Sequence, residues 1–368
     1  LYGLRQAPRA WNKRLEAELS SRAFVQPDAV LALWIRRSKK GIVMAMFYVD
    51  DGLVAAHTAD EADALVDLVS SIFEIRALGE PKDFLGIEIS RDLTAGTITI
   101  TQESKALALA AQVGVSQSQR ALPMSSETYA GLWAAQPWEP MTDKLEFQRT
   151  LGSLLHLAQC TRPDITLPVS ALAAFAAAPS EMHHGALLDV VRSVGSSAAR
   201  GITYGRKRLP LGFWCDAKFA AFQDTRRSTT GWVVTMYRGD VSWSGEKQAT
   251  TAASMMDAEY QACGVAAREG LSLIKALGEL TLLSADFPLQ GPVVIGWDNK
   301  AALSLCKDRK EGQRVKHIDI IHQFARDHVA SGELSFVYCK SEDNVSDCLT
   351  KALPRSLIEK GLVGLGMD

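Results

Sequence analysis

No stretch of this chain stays apolar for the ~20 residues that a helix needs to cross a bilayer, and the Ala-rich run from Ser170 to Ala178 falls far short. A helical membrane span is therefore not expected. The six cysteines, Cys160, Cys215, Cys263, Cys306, Cys339 and Cys348, include no close pair at zinc-ligand spacing. That spacing argues against structural zinc and for reduced thiols in an intracellular protein. An excess of either charge is also missing: 40 Lys and Arg stand against 42 Asp and Glu, a formal net charge of −2. Overall attraction to a polyanion is thereby excluded, so any nucleic-acid contact has to come from local basic patches and metal ions. The N-terminus has no secretion signal and no initiator Met; it opens Leu1-Tyr2-Gly3-Leu4, which reads as a fragment boundary in a cytoplasmic protein.

What is present suffices for ordinary globular packing, with 47% hydrophobic residues in 368. That length exceeds what one core usually organises, so two or three domains are expected. A helix over Asn12 to Leu19 is followed by strands at Val30 to Ile35 and Ile42 to Val49, joined by the basic turn Arg36 to Gly41. A carboxylate pair, Asp50 and Asp51, ends the second strand before Leu53 to Ala56 resumes, which makes a hairpin. A helix over Asp60 to Phe73 and strands Phe84 to Ile89 and Thr97 to Thr101 complete an α+β unit. Helical periodicity then dominates at Ser104 to Gln112, Phe147 to Gln159, Pro168 to Ala177 and Ser180 to Ser196, with a long connection over Ser116 to Thr142. Beyond it the pattern predicts strands at Leu211 to Ala217, Gly231 to Tyr237 and Val241 to Ser244, a helix from Met255 to Leu283, and a strand Val293 to Trp297. Helices Lys300 to Lys307 and Ile318 to Ser331, a strand Leu334 to Cys339 and a last helix Asn344 to Ala352 follow.

Four isolated carboxylates sit where elements of this second half begin or end. Asp216 closes its first strand, Glu259 lies in the long helix, Asp298 closes the fourth strand and Asp347 opens the last helix. Singly, each reads as a helix cap or a solvated surface acid. Collectively, acids at the ends of strands in a mixed sheet can converge on a pair of Mg2+ ions ~3.5–4 Å apart. Hard oxygen ligands are the right chemistry for magnesium, with Mn2+ as a substitute.

The surroundings of these acids resemble, block by block, the RNase H domain of copia-type LTR retrotransposons. The blocks are Trp214-Cys215-Asp216-Ala217, Asp224 to Gly231, Asp257-Ala258-Glu259-Tyr260, Asp298 to Ala302 and Ser346 to Lys351, in that order. The resemblance implies that Asp216, Glu259, Asp298 and Asp347 are both catalytic and metal ligands, with Asp257 a bystander. It also implies two ions per site and an RNA/DNA hybrid as substrate. Gly245-Glu246 and Met255-Met256 depart from the family's usual polar residues. A His that many RNases H keep after the last strand is missing from Lys340 to Ser346, and His317 is read as structural.

The first half resembles copia-type reverse transcriptase through Leu1 to Trp11, Phe47-Tyr48-Val49-Asp50-Asp51 and Leu78 to Ile89. Gln6 would border nucleotide and template, and Asp50 and Asp51 would be metal ligands of a polymerase remnant. Gly152 to His156 and Thr161 to Ile165 would belong to thumb and connection. A further polymerase Asp, on a strand upstream of Leu1 in that family, lies outside this sequence, so polymerase activity is expected to be lost. The implied fold is an α+β palm and thumb remnant followed by an α/β RNase H-like domain, a mixed five-stranded sheet flanked by helices. Expected boundaries are 1–102 for the partial palm, 103–205 for the helical connection, 206–355 for the RNase H domain and 356–368 for a tail. Phosphate contacts are expected from Arg226, Arg227, Lys307, Arg309, Lys310, Arg314 and Lys316. The remaining partner would be the rest of the polyprotein, and an intact element would carry the chain in a cytoplasmic virus-like particle. The competing reading is an inactive relic or a co-opted nucleic-acid-binding module.

Overall fold

Ser38 and Gly41 shape the first hairpin: the Ser38 hydroxyl accepts from the amides of Lys40 (3.1 Å) and Gly41 (3.0 Å), a local turn that pays no side-chain cost. In the computed structural model, which describes residues 6–115, 122–205, 211–222, 224–283, 292–307 and 319–367, this turn joins β1 (Leu33–Arg37) to β2 (Ile42–Tyr48). A second antiparallel pairing joins β2 to β3 (Asp51–Ala56), closed by Tyr48 opposite Asp51. Helices α1 (Ala7–Ser20) and α2 (Ala59–Ser70) each bury two residues one turn apart, Leu15 with Leu19 and Leu65 with Val69. These meet Trp34, Val43 and Ala45 of the sheet in one cluster, which is the core of the first compact unit, residues 1–85 with 271–291.

The second compact unit comprises residues 86–270 and 292–368. The expected boundaries at 102/103 and 205/206 therefore fall inside it. The expected strand Phe84 to Ile89 is broken because Leu85 and Gly86 both take positive φ (56° and 72°), leaving β4 (Asp83–Phe84) and β5 (Ile87–Asp92) as separate pieces. Antiparallel pairing carries β5 to β6 (Thr97–Thr101) and on to β7 (Ile202–Tyr204). Between β6 and β7 run α3 (Glu103–Gln112), α4 (Ser126–Ala130), α5 (Lys144–Cys160), α6 (Thr166–Ala173) and α7 (Glu181–Ser196). Short α4 interrupts the expected Ser116 to Thr142 connection, because the Ser125 hydroxyl caps it by accepting from the Thr128 amide. Phe147, Leu151 and Leu154 of α5 with Leu187, Val190 and Val194 of α7 recur at helical spacing and form the core of this layer.

A mixed five-stranded sheet follows, as the resemblance implied, in the order β10-β9-β8-β11-β12. Its strands are β8 (Gly212–Lys218), β9 (Thr229–Met236), β10 (Gly239–Lys247), β11 (Val293–Trp297) and β12 (Leu334–Tyr338). Pairing is antiparallel through β10-β9-β8 and parallel through β8-β11-β12. Parallel neighbours need crossovers, which α8 (Met255–Leu283) supplies before β11, and α9 (Lys300–Lys307) and α10 (Asp319–Ala330) before β12.

Two expectations for the C-terminal stretch need correction. Asn344 to Ala352 forms a 3-10 turn, Val345–Leu349, instead of an α-helix; the Asn344 side chain satisfies the Ser346 amide and donates to the carbonyl of Cys215 (3.1 Å), fixing the turn on β8. The 356–368 stretch is no loose tail: α11 (Arg355–Gly364) and the residues after it bury Leu362, Leu365 and Met367 against Ile202, Val233 and Leu349. Apolar residues at helical spacing, Ile358 with Leu362 and Leu365, carry that signal.

The helical layer and the mixed sheet are joined by polar contacts. Trp243 of β10 donates its indole N–H to the carbonyl of Ala158 (2.8 Å). Arg162, 2% exposed, makes two 2.8 Å bonds to Asp164 and two more to Ser197, so its buried charge is paired and its donors are used. Gly245, which departs from the family pattern, is a close-approach point: a Cβ there would stand 2.6 Å from the Leu349 carbonyl oxygen and 3.1 Å from the Thr166 methyl. Gly245→Ala should accordingly destabilise the full chain by about 1–3 kcal/mol, read as a lower urea midpoint; an unchanged midpoint would show that the backbone there yields freely.

Candidate metal centre

Register decides where the acids meet. In the parallel pairing of β8 with β11, Cys215 lies opposite Trp297. The next residues, Asp216 within β8 and Asp298 just past the end of β11, therefore stand side by side. Glu259 enters from the first turns of α8, where its carboxylate accepts a 2.8 Å bond from the indole N–H of fully buried Trp297. One oxygen from each of Asp216, Glu259 and Asp298 lies within 4.8 Å of the others, making a group able to hold a metal ion.

Asp347 reaches this group differently. It sits on the 3-10 turn and is joined to Asp216 through Lys351, whose Nζ is 3.1 Å from Asp216 Oδ1 and 3.0 Å from Asp347 Oδ1. The fourth acid thus stands beside the cluster across an ammonium. The turn can lie this close because Gly231, opposite Asp216 on β9, has no side chain: a Cβ there would fall 2.4 Å from the Thr350 methyl. Thr350 donates its hydroxyl to Asp216 Oδ2, and Ser341 donates to Asp298. Trp297, Ser341, Thr350 and Lys351 were not among the residues singled out from sequence. Lys351 and Thr350 stood in a recognised block, and Lys351 follows Asp347 by one helical turn, which was the available signal.

The electrostatics are those of crowded, buried acids. Asp216 is 1% exposed, Glu259 7% and Asp347 8%. Burial first, then the neighbouring Asp216, raises Glu259 to about 7, against the pull of the Trp297 bond and Lys351. Asp347 is raised to about 7 by burial and by Asp216. Burial also raises Asp216, although Lys351 and Thr350 oppose it. Burial disfavours the Lys351 charge, yet Asp216 and Asp347 hold it well above the ordinary lysine value. Near the site, burial pushes up the thiols of buried Cys215 and half-buried Cys339, the latter to about 11, which disfavours the reactive thiolate.

Other sequence candidates are placed elsewhere. Asp50 lies in the two-residue turn between β2 and β3 after Val49 (φ 57°), and Asp51 starts β3; both are exposed, and no third acid groups with them among the described residues. Gln6 is exposed ahead of α1. Arg226 is exposed with φ 53°, and Arg227 is half-buried, its carbonyl accepting from Phe222 N. Lys307 is the last residue of α9, while Arg309, Lys310, Arg314, Lys316 and His317 lie outside the described residues. Asp257 accepts from the Ala253 amide at 2.7 Å and so serves the entry to α8. Met255 of that turn is exposed.

A mixed sheet with helices on it carries a cluster of three carboxylates, Asp216, Glu259 and Asp298, beside two parallel strands, a group that could hold a metal ion. Comparison with known proteins places the chain more narrowly. Residues 1–124 match the family described as reverse transcriptase (RNA-dependent DNA polymerase). Over its whole length the chain is 32% identical to the retrovirus-related Pol polyprotein from transposon RE1 of Arabidopsis thaliana, of which it covers 24%. It is 28% identical, over 99% of its length, to that from transposon TNT 1-94 of Nicotiana tabacum, covering 28% of it. The chain is similar along its length to retrovirus-related Pol polyproteins of copia-type transposons, and spans about a quarter of the length of these relatives. Among solved structures, a foamy viral protease-reverse transcriptase in complex with an RNA/DNA hybrid is similar at 13% identity and TM-score 0.47, over 93% of this chain and 39% of that one. The compost-derived LC11-RNase H1 is similar at 19% identity and TM-score 0.26, over 41% of this chain and 97% of that one. Likeness at that level carries no argument about this site.

Raised acids give a stability signature whose sign is fixed. Folded Glu259 stays protonated up to about 7, whereas the unfolded chain releases that proton near 4.5. The folded state therefore binds more protons between those values, and stability falls as pH rises through the window, levelling above it. In EDTA, Glu259→Gln should remove its share of the fall and be more stable than the wild type above about pH 7 by about 1–3 kcal/mol. Urea titrations of both proteins across the window check this; parallel curves would refute the raised value.

Proposed function

We propose that this chain is the reverse transcriptase and RNase H portion of a retrotransposon polyprotein, and that its mixed-sheet module cleaves the RNA strand of RNA/DNA hybrids. The observation that carries the reading is the convergence of Asp216, Glu259 and Asp298 within 4.8 Å, where β8 and β11 run side by side. An all-oxygen donor set suits Mg2+, with Mn2+ as a substitute. The fit is supported by the acids themselves: burial and mutual repulsion raise Asp216, Glu259 and Asp347, a surplus of negative charge that a divalent ion relieves. Such ions, when bound, would supply an activated water and neutralise charge developing on the leaving 3′-oxygen.

The chain's own residues do the positioning. Trp297 orients Glu259, Ser341 orients Asp298, and Thr350 with Lys351 fixes both oxygens of Asp216. No nucleophilic side chain is required, since water is the attacking group. Hybrids are read mainly through phosphates and 2′-hydroxyls across a wide minor groove, so preference should follow helix type and not sequence. Arg226, Arg227 and Lys307 are the phosphate-contact candidates that fall among the described residues. Residues 1–368 alone are assigned no DNA synthesis, because Asp50 and Asp51 stand on an exposed turn with no third described acid beside them.

Incubated with a labelled RNA/DNA duplex and Mg2+, the chain should cut the RNA strand. Asp216→Asn should reduce the rate at least about 100-fold, the scale of losing one charge-stabilising group. Equal cleavage by both proteins, or none by either, would sink the nuclease reading and leave nucleic-acid binding without hydrolysis.

A further inference from the structure

Two unlike cation positions adjoin at Asp216. The first is lined by Asp216, Glu259 and Asp298, whose oxygens lie mutually within 4.8 Å. The second lies between Asp216 and Asp347, and there the Lys351 Nζ already stands, 3.1 Å and 3.0 Å from one oxygen of each. Asp216 is bonded on both oxygens, Oδ1 by Lys351 and Oδ2 by Thr350. Two carboxylates as buried as Asp216 and Asp347 would repel at this distance without a positive charge between them. The ammonium supplies that charge while remaining displaceable: its side chain is 26% exposed, and a lysine head is a compact charge on a flexible four-carbon stem.

We propose that Lys351 is a tethered counter-cation filling the second cation position, so that the bare site takes one divalent ion and a second enters only as the ammonium withdraws from Asp216 and Asp347. This rests on the reading of the acids as metal ligands. Lys351 is thereby a positioning residue that keeps Asp216 and Asp347 together before loading. It also makes the second ion's entry an exchange of one cation for another, so net charge at the site changes by one unit at that step instead of two. Arrival of a substrate phosphate, itself an anion, gives the released ammonium a new partner of the same sign as the one it leaves.

Calorimetric titration of the full chain with Mn2+ tests this without recourse to activity. Wild type should bind about one ion, Lys351→Met about two, and Lys351→Arg, which keeps the charge, about one. Asp298→Asn in the wild-type background should abolish the first ion. Unchanged stoichiometry in Lys351→Met overturns the counter-cation while loss of the first ion in Asp298→Asn keeps the metal-ligand reading. No ion in wild type and no effect of Asp298→Asn defeats that reading instead, and the inference with it. Should Lys351→Met fail to fold, amine acetylation of wild type followed by peptide mass spectrometry takes its place. Labelling of Lys351 should rise severalfold as Mn2+ passes saturation of the first position, and a flat response overturns the proposal.

Discussion

Crowding of negative charge where β8 runs beside the end of β11 is the constraint on which the rest of the site depends. Parallel pairing brings Asp216 and Asp298 out of adjacent strands, α8 adds Glu259, and the turn after β12 adds Asp347. Acids so placed cannot all ionise cheaply in a buried setting. Four polar groups are aimed at this charge: an indole N–H, two hydroxyls and one ammonium.

That arrangement needs backing from outside the sheet. The 345–351 segment must lie against β8 and β9, which Gly231 permits and the Asn344 side chain enforces. On the other side, Leu349 meets Gly245 of β10, where Thr166 of α6 also packs. The Arg162–Asp164 pair fixes the corner between α5 and α6, and Trp243 ties β10 to α5. The helical layer is thus part of the support for the acids, and it falls in one compact unit with the mixed sheet. The first unit is built separately, around Trp34, Val43 and the one-turn pairs of α1 and α2, and holds its acid pair on an exposed turn.

Much of this was legible in the order of residues. Element types followed from periodicity, with β11 and α9 matching to the residue, because long apolar patterns are local properties of the chain. Misreadings occurred where local geometry overrode pattern. Positive φ at Leu85 and Gly86 cut a strand that its apolar residues predict to be continuous. Asn344 turned an expected α-helix into a 3-10 turn, and an apparently featureless terminus closed the core through Leu362, Leu365 and Met367. Gly245 looked like family drift, yet it marks contact with Leu349, a residue about a hundred positions away that no local pattern could reveal.

Sequence by itself determined the ingredients: the family, the mixed order of strands and helices, and the four acids at element ends. Tertiary structure alone decided their grouping, three carboxylates in one cluster and the fourth held beyond a lysine. The physical reason is that charge interactions depend on distance through space. Asp216 and Lys351 are 135 positions apart in the chain and 3.1 Å apart in the fold, brought together by strand register, the Gly231 gap and the Asn344 bond to β8.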